Sequence, residues 1–160
     1  MKRCKKAFTL VEILIVVIIL GILAAIVIPQ FTQASTEARI SNLRTNLQTI
    51  RSQLLLYKTQ HLEVYPGDTF VAQMTQYSDI SGATNATPDP AFPFGPYLQS
   101  VPINPFSGVN TMRVVSGAAT VFSSDADAGW YFNSTTGEFR ADLVTGDDHK
   151  TADGTQFNAL

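Results

Sequence analysis

An unbroken apolar block near the start of the chain limits its possible folds more than any other feature. Between Phe8 and Ile28, 18 of 21 positions are Phe, Leu, Val, Ile or Ala, and Glu12 is the single ionisable residue. As a helix this block rises roughly 31 Å, close to the hydrocarbon thickness of a bilayer. A helix that is apolar on every side needs a membrane or a fully enclosing protein core. The chain has 160 residues, 15% of them charged and a formal charge of −2, and the charge deficit is concentrated in this block. The roughly 130 residues left have an ordinary polar composition, enough for one small core. One apolar block excludes a multi-span membrane protein, and one cysteine excludes a disulfide scaffold. The negative balance has the wrong sign for a polyanion, so no nucleic-acid partner is expected.

Ahead of the block, Met1-Lys2-Arg3-Cys4-Lys5-Lys6-Ala7 carries four basic side chains and no acid. Basic residues beside a membrane segment stay on the cytoplasmic side. The expected topology is single-pass in the inner membrane, with the N-terminus cytoplasmic and residues 62–160 periplasmic or extracellular. The apolar run is longer than the core of a secretory signal peptide, and Cys4 precedes the run, which argues against lipoprotein processing. A plain anchor does not account for Glu12. A carboxylate at the centre of a membrane helix costs on the order of 2.5–3.5 kcal/mol, less near the interface, and calls for a cationic partner. Lys5 and Lys6 are candidates. A new α-amine on Phe8 is another, if the chain is cut before that residue.

The run Lys5-Lys6-Ala7-Phe8-Thr9-Leu10-Val11-Glu12-Ile13-Leu14 resembles the prepilin processing and N-methylation motif of type IV pilins and type II secretion pseudopilins. The resemblance covers residues 5–29. It implies a leader at 1–7 removed by a prepilin peptidase/methyltransferase that cuts between Ala7 and Phe8 and methylates the new amine. Glu12 takes the place of the family's glutamate, and Gly21 and Pro29 match a glycine and a proline of the same helix, all implied to serve assembly. The family usually has Gly before the cut, and Ala7, the next smallest residue, is expected to be cleaved as fast or more slowly. Partners implied are copies of the chain, other pseudopilins and the inner-membrane assembly platform of the secretion system. The implied product is a type II secretion pseudopilus subunit. The alternative is a type IV pilin of a surface fibre for adhesion, motility or DNA uptake. Many such pilins close a C-terminal loop with a disulfide, whereas a chain starting at Phe8 has no cysteine.

Residues 8–28 are read as the transmembrane and assembly helix and 29–61 as an amphipathic helix. Pro29 is expected to kink or interrupt the helix between them. Ile40, Leu43, Leu47, Ile50, Leu54 and Tyr57 recur at spacings of three and four and form one apolar stripe. Arg44, Arg51 and Lys58 make a basic row beside it, read as a solvated face or as a contact for an acidic face of a neighbour. The helical pattern stops before Tyr65-Pro66-Gly67. Residues 78–110 read as an irregular loop whose many aromatics pin it to the core. Its Tyr-Leu…Pro…Asn-Pro-Phe…Gly run resembles the loop before the sheet in major pseudopilins. Met112–Val115 and Thr120–Phe122 read as one hairpin. Gly129–Asn133 and Glu138–Leu143 read as another, turned by Ser134-Thr135-Thr136-Gly137. The expected fold is α+β and pilin-like, a long N-terminal helix packed on a small antiparallel sheet. Thr145–Leu160 are polar and expected to be poorly ordered.

No nucleotide-binding loop, nucleophile elbow or zinc-helix motif occurs, and His61 and His149 stand apart, so no enzyme is expected. Asp125 and Asp127 place oxygens at alternate positions, as calcium loops do, without a complete ligand pattern; no other cofactor is suggested. Cutting before Phe8 removes four of 11 basic residues and none of 13 acids, moving the formal charge from −2 to −6. Intact-mass measurement of membrane-extracted protein is expected to show loss of residues 1–7 and one added methyl group. A retained Met1, or a start beyond Ala25, would exclude this processing.

Overall fold

The computed structural model describes residues 9–117 and 128–142. Residues 1–8, Thr120–Phe122, Asp125, Asp127, Leu143 and Thr145–Leu160 lie outside them. The chain divides into two compact units, Met1–Ala38 and Arg39–Leu160.

Helix α1 runs from Leu10 to Gln60. Pro29 lies inside it, so the expected interruption does not occur. Proline removes one amide, the donor that would reach the Ala25 carbonyl, and the turns on either side keep their own bonds. Just beyond, the Thr32 hydroxyl donates to the Ile28 carbonyl at 3.2 Å and the Thr36 hydroxyl to Thr32 at 3.1 Å. The helix ends where Leu62 (φ 54°) and Glu63 (φ 63°) both take left-handed backbone. The Glu63 amide then turns back to the Lys58 carbonyl at 3.0 Å, and Pro66 forbids further helix.

In the second unit the apolar stripe is buried as expected. Leu43, Leu47, Ile50, Leu54 and Tyr57 are all within 2% of full burial, each contributing about 1.5–3 kcal/mol by leaving water. They pack on Trp130, Phe132, Phe139 and Ala141, with Phe70, Met74, Tyr97 and Val101 closing the core. Phe70 and Met74 come from a short helix α2, Phe70–Thr75, which the sequence reading passed over. Two-residue strands β1 (Tyr77–Ser78) and β2 (Thr84–Asn85) pair antiparallel within the loop.

The main sheet has three strands, β3 (Met112–Val115), β4 (Trp130–Asn133) and β5 (Phe139–Ala141), in the order β3-β4-β5. The hairpin β4–β5 has the expected register, with Trp130 opposite Ala141 and Phe132 opposite Phe139. Gly137 supplies the positive φ of 76° at its turn. β3 departs from expectation. It pairs parallel with β4, Met112 opposite Trp130 and Val115 opposite Asn133, so the sheet is mixed. A parallel neighbour needs a crossover of about a dozen residues or more, and the stretch from Ser116 to Gly129 supplies it. β4 is also buried on both faces instead of alternating. Its outer Tyr131 lies under the guanidinium of its cross-strand partner Arg113, 5.0 Å from the ring centre, and Arg113 binds Asp142 through two nitrogens at 2.6 and 2.8 Å.

The aromatic loop is pinned as anticipated, and a polar clamp does much of it. Asn104, fully buried, donates to the Gly129 carbonyl at 2.6 Å and accepts from the Phe106 amide at 2.9 Å. The Trp130 indole donates to the Pro102 carbonyl at 2.8 Å. Gly129 is required by close approach: a Cβ there would lie 2.3 Å from the Val109 carbonyl oxygen. Asn104→Ala removes one of two donors to the Gly129 carbonyl, which keeps the Asp142 amide at 3.1 Å, and an acceptor of the Phe106 amide. It is expected to destabilise by about 1–3 kcal/mol, and Gly129→Ala by about 1–3 kcal/mol through overpacking. Urea unfolding of the detergent-solubilised chain measures both. Losses under about 0.5 kcal/mol, the range of a neutral surface change, would exclude the clamp.

Candidate assembly and membrane interface

The first unit presents its apolar block to the outside. Thr9 caps the helix, its hydroxyl accepting from the Glu12 amide at 3.2 Å while its carbonyl accepts from Ile13 at 3.3 Å. Glu12 is therefore the third residue of the helix and the acid of its first turn, with the spacing of a capping box. Its carboxylate sits where the helix dipole favours negative charge. Reading Glu12 only as a charge in an apolar run missed this, although Thr-x-x-Glu before an apolar stretch is its sequence signal.

From Leu10 to Ile28 every Leu, Ile and Val is half exposed or more, with Leu10 at 82%. The most apolar 18-residue window has a mean hydropathy of 3.3 and none of it is buried. α1 is the one helix, among the described residues, long and apolar enough to cross a membrane. Gly21 has nothing within 4 Å of the place a Cβ would occupy, so no contact within the described chain requires glycine there. Ala7, Phe8, Asp125 and Asp127 lie outside the described residues. Among those described, no three His, Cys, Asp or Glu side chains gather as metal ligands would.

His61 is buried in a packing role. Its ring stacks on Tyr57 with centroids 3.7 Å apart, Nδ1 faces the Tyr57 carbonyl at 2.8 Å, and Nε2 meets the Ser78 hydroxyl at 3.0 Å. A carbonyl partner puts the proton on Nδ1, so in the neutral ring Ser78 donates to Nε2. Burial, with Tyr97 and Asp79 nearby, pushes the Tyr57 hydroxyl up to about 12, keeping it protonated at neutral pH.

The basic row divides. Arg51 donates twice to the Phe139 carbonyl, at 3.2 and 2.8 Å, and so occupies the outer edge of β5. Burial, then repulsion from Arg140, lowers its pKa. Lys58 pairs with Glu63 at 3.4 Å and lies 4.9 Å above the Tyr65 ring. Only Arg44 fits the expected solvated face.

Residues 2–28 match the family model described as the prokaryotic N-terminal methylation motif. The chain is 38% identical over 65 residues to type II secretion system core protein G of Pseudomonas aeruginosa, covering 41% of this chain and 45% of that protein. It is 34% identical over 84 residues to type IV major pilin protein PilA of Myxococcus xanthus, covering 52% and 32%. It is 32% identical over 82 residues to type IV major pilin protein PilE of Neisseria gonorrhoeae, covering 51% and 48%. The chain thus carries the N-terminal methylation motif and is similar over about half of its length to a type II secretion core protein and to type IV major pilins. It spans less than half the length of these relatives. No solved structure matches it significantly.

The two arginines of the row have separate duties, which stability separates. Arg51→Ala strips the Phe139 carbonyl of a charged donor and is expected to destabilise the second unit by about 1.5–3 kcal/mol. Arg44→Ala is expected to stay within about 0.5 kcal/mol of the parent. Equal effects in urea unfolding would exclude the division.

Proposed function

We propose that the chain is a structural subunit of a type II secretion pseudopilus. A prepilin peptidase/methyltransferase processes it at Ala7–Phe8, and it polymerises through its N-terminal helix. The observation that carries this reading is the apolar helix from Leu10 to Ile28, exposed on every side, in the region of the methylation motif. Such a surface is stable in lipid or against other apolar helices, and a subunit drawn from membrane to filament exchanges one for the other. In this reading residues 1–7 start in the cytoplasm, residues 8–28 cross the inner membrane once, and residues 62–160 lie beyond it. The chain's partners are then copies of itself, other pseudopilins and the inner-membrane assembly platform. A second reading, a surface type IV pilus, is favoured by the relatives named type IV major pilins. Against it stands the absence of cysteine after Cys4.

Glu12 supplies register in this mechanism. Its carboxylate lies in a low-dielectric setting where an unpaired charge costs several kcal/mol. After cleavage, a neighbour's Phe8 amine is the cation that completes the pair, and only a correctly staggered neighbour delivers it. Gly21 and Pro29 then mark where the helix backbone gives way most easily during packing, one through backbone entropy and the other through a missing donor. Glu12→Ala and Glu12→Gln are expected to insert and be processed normally, yet to cut filament yield about tenfold or more, the equivalent of losing over 1.4 kcal/mol per contact. Immunoblots of membrane and sheared-filament fractions measure each step. Wild-type filament yield from both variants, each starting at Phe8, would exclude the register role.

A further inference from the structure

The charges of the second unit are segregated along the chain. Between Glu37 and Glu63 there are four cations, Arg39, Arg44, Arg51 and Lys58, and no acid. Between Lys58 and Arg113 there are four acids, Glu63, Asp68, Asp79 and Asp89, and no Lys or Arg. Most of these charges are already engaged. Arg51 holds Phe139, and Lys58 holds Glu63. Asp79 accepts from Ser81 and Ala83, and Asp89 accepts from Ala91. Arg44 and Asp68 are exposed, and neither side chain has a polar partner among the described residues.

Arg44 stands at one end of a groove along α1. Its walls near Arg44 are Leu47, Gln48, Ser52 and Leu55, enclosing about 430 Å³. Arg51 and Leu55 carry the groove on to Tyr65 and Gly137. Leu55 is 59% exposed, so the floor is apolar and the rim cationic. Asp68 lies in the turn that follows Tyr65, flanked in sequence by Val64 and Val71, themselves 61% and 48% exposed. The turn thus offers a carboxylate set among apolar side chains, and the groove offers a guanidinium set among apolar walls.

We infer that the Arg44 end of this groove receives the Asp68 turn of a second copy of the chain. This rests on the filament-subunit reading and names a contact that reading leaves open. Groove and turn are different surfaces of one molecule, so the contact is heterologous: each added copy leaves one free groove and one free turn, and growth continues head to tail without closing. Arg51 and Lys58 are tied within the second unit and Arg39 does not line the groove, which leaves Arg44 as the groove cation that selects the acidic partner. A surface ion pair alone contributes little. Burial of Val64 and Val71 against the exposed Leu55 supplies the remainder, and the charges set which way round the copies meet.

The test uses the full-length chain in filament-producing cells, in a Cys4→Ser background that contains no other cysteine. Arg44→Cys and Asp68→Cys, carried by two co-expressed chains, are expected to form a disulfide-linked dimer in sheared filaments, whereas either chain alone is not. Arg44→Asp and Asp68→Arg are each expected to lower filament yield about tenfold, and the double reversal to restore it. Both sites are exposed, so urea unfolding should match the parent. Filaments that form with no cross-link, single reversals at parental yield, or a double reversal that fails to recover would each overturn this contact and leave the filament reading standing. A parent chain that never forms filaments overturns both.

Discussion

Nothing in the described chain covers the apolar surface of α1 from Leu10 to Ile28, and the rest of the molecule is organised around that fact. The same helix, a few turns on, carries a stripe that the second unit buries from Leu43 to Tyr57, with Ile40 partly covered. One element therefore meets two solvents. Past Arg39 it follows the ordinary rule of a helix with one apolar face. From Leu10 to Ile28 it is apolar nearly all round, a surface suited to lipid or to other apolar helices. Lipid tails are as apolar as leucine, so replacing them with neighbouring helices gains little from hydrophobicity itself. Packing detail and the few polar groups present decide whether and how copies associate.

That places unusual weight on the second unit's rigidity, because it holds the groups that the helix alone lacks. Its core is small, and buried polar bonds fix the geometry that apolar packing leaves loose. Asn104 ties the aromatic loop to the start of β4, the Trp130 indole adds a second tie at Pro102, and Arg51 fastens α1 to the open edge of β5. An unpaired strand edge invites pairing with other chains. A guanidinium on the Phe139 carbonyl takes up one of the outward acceptors, which directs association away from strand addition and towards helix and loop surfaces.

Where residue pattern maps directly onto burial, the sequence was easily read. The block at 8–28, the stripe from Ile40 to Tyr57 and the Trp130/Phe132 hairpin all declare themselves through periodicity. The first three departures share a cause: each depended on a partner distant in the chain. The parallel pairing of β3 with β4 joins strands separated by residues 116–129, and no local signal in either strand announces it. β4 alternates in sequence, yet Tyr131 is buried because Arg113 and Asp142 cover the outer face. The basic row looked uniform, and only the fold divides it. Pro29 was weighed as a breaker, although a helix loses only one bond to it. At the candidate interface Glu12 was found as a charge out of place, while its position in a capping box went unread.

Those two aspects of Glu12 bear on each other. At the third position of the helix, the dipole is worth about 0.3–1 kcal/mol to a carboxylate. An unpaired charge in a low-dielectric setting costs several kcal/mol. The first is enough to let a membrane-held monomer keep its acid near the interface, and too small to satisfy it. In the proposed filament the deficit is what a neighbour's amine removes. A residue fully paired within its own chain would leave nothing for a neighbour to contribute, and one buried at mid-membrane would oppose insertion. Near the start of α1, behind a threonine cap, the carboxylate is tolerable alone and better in company, which is the condition a reversible assembly signal has to meet.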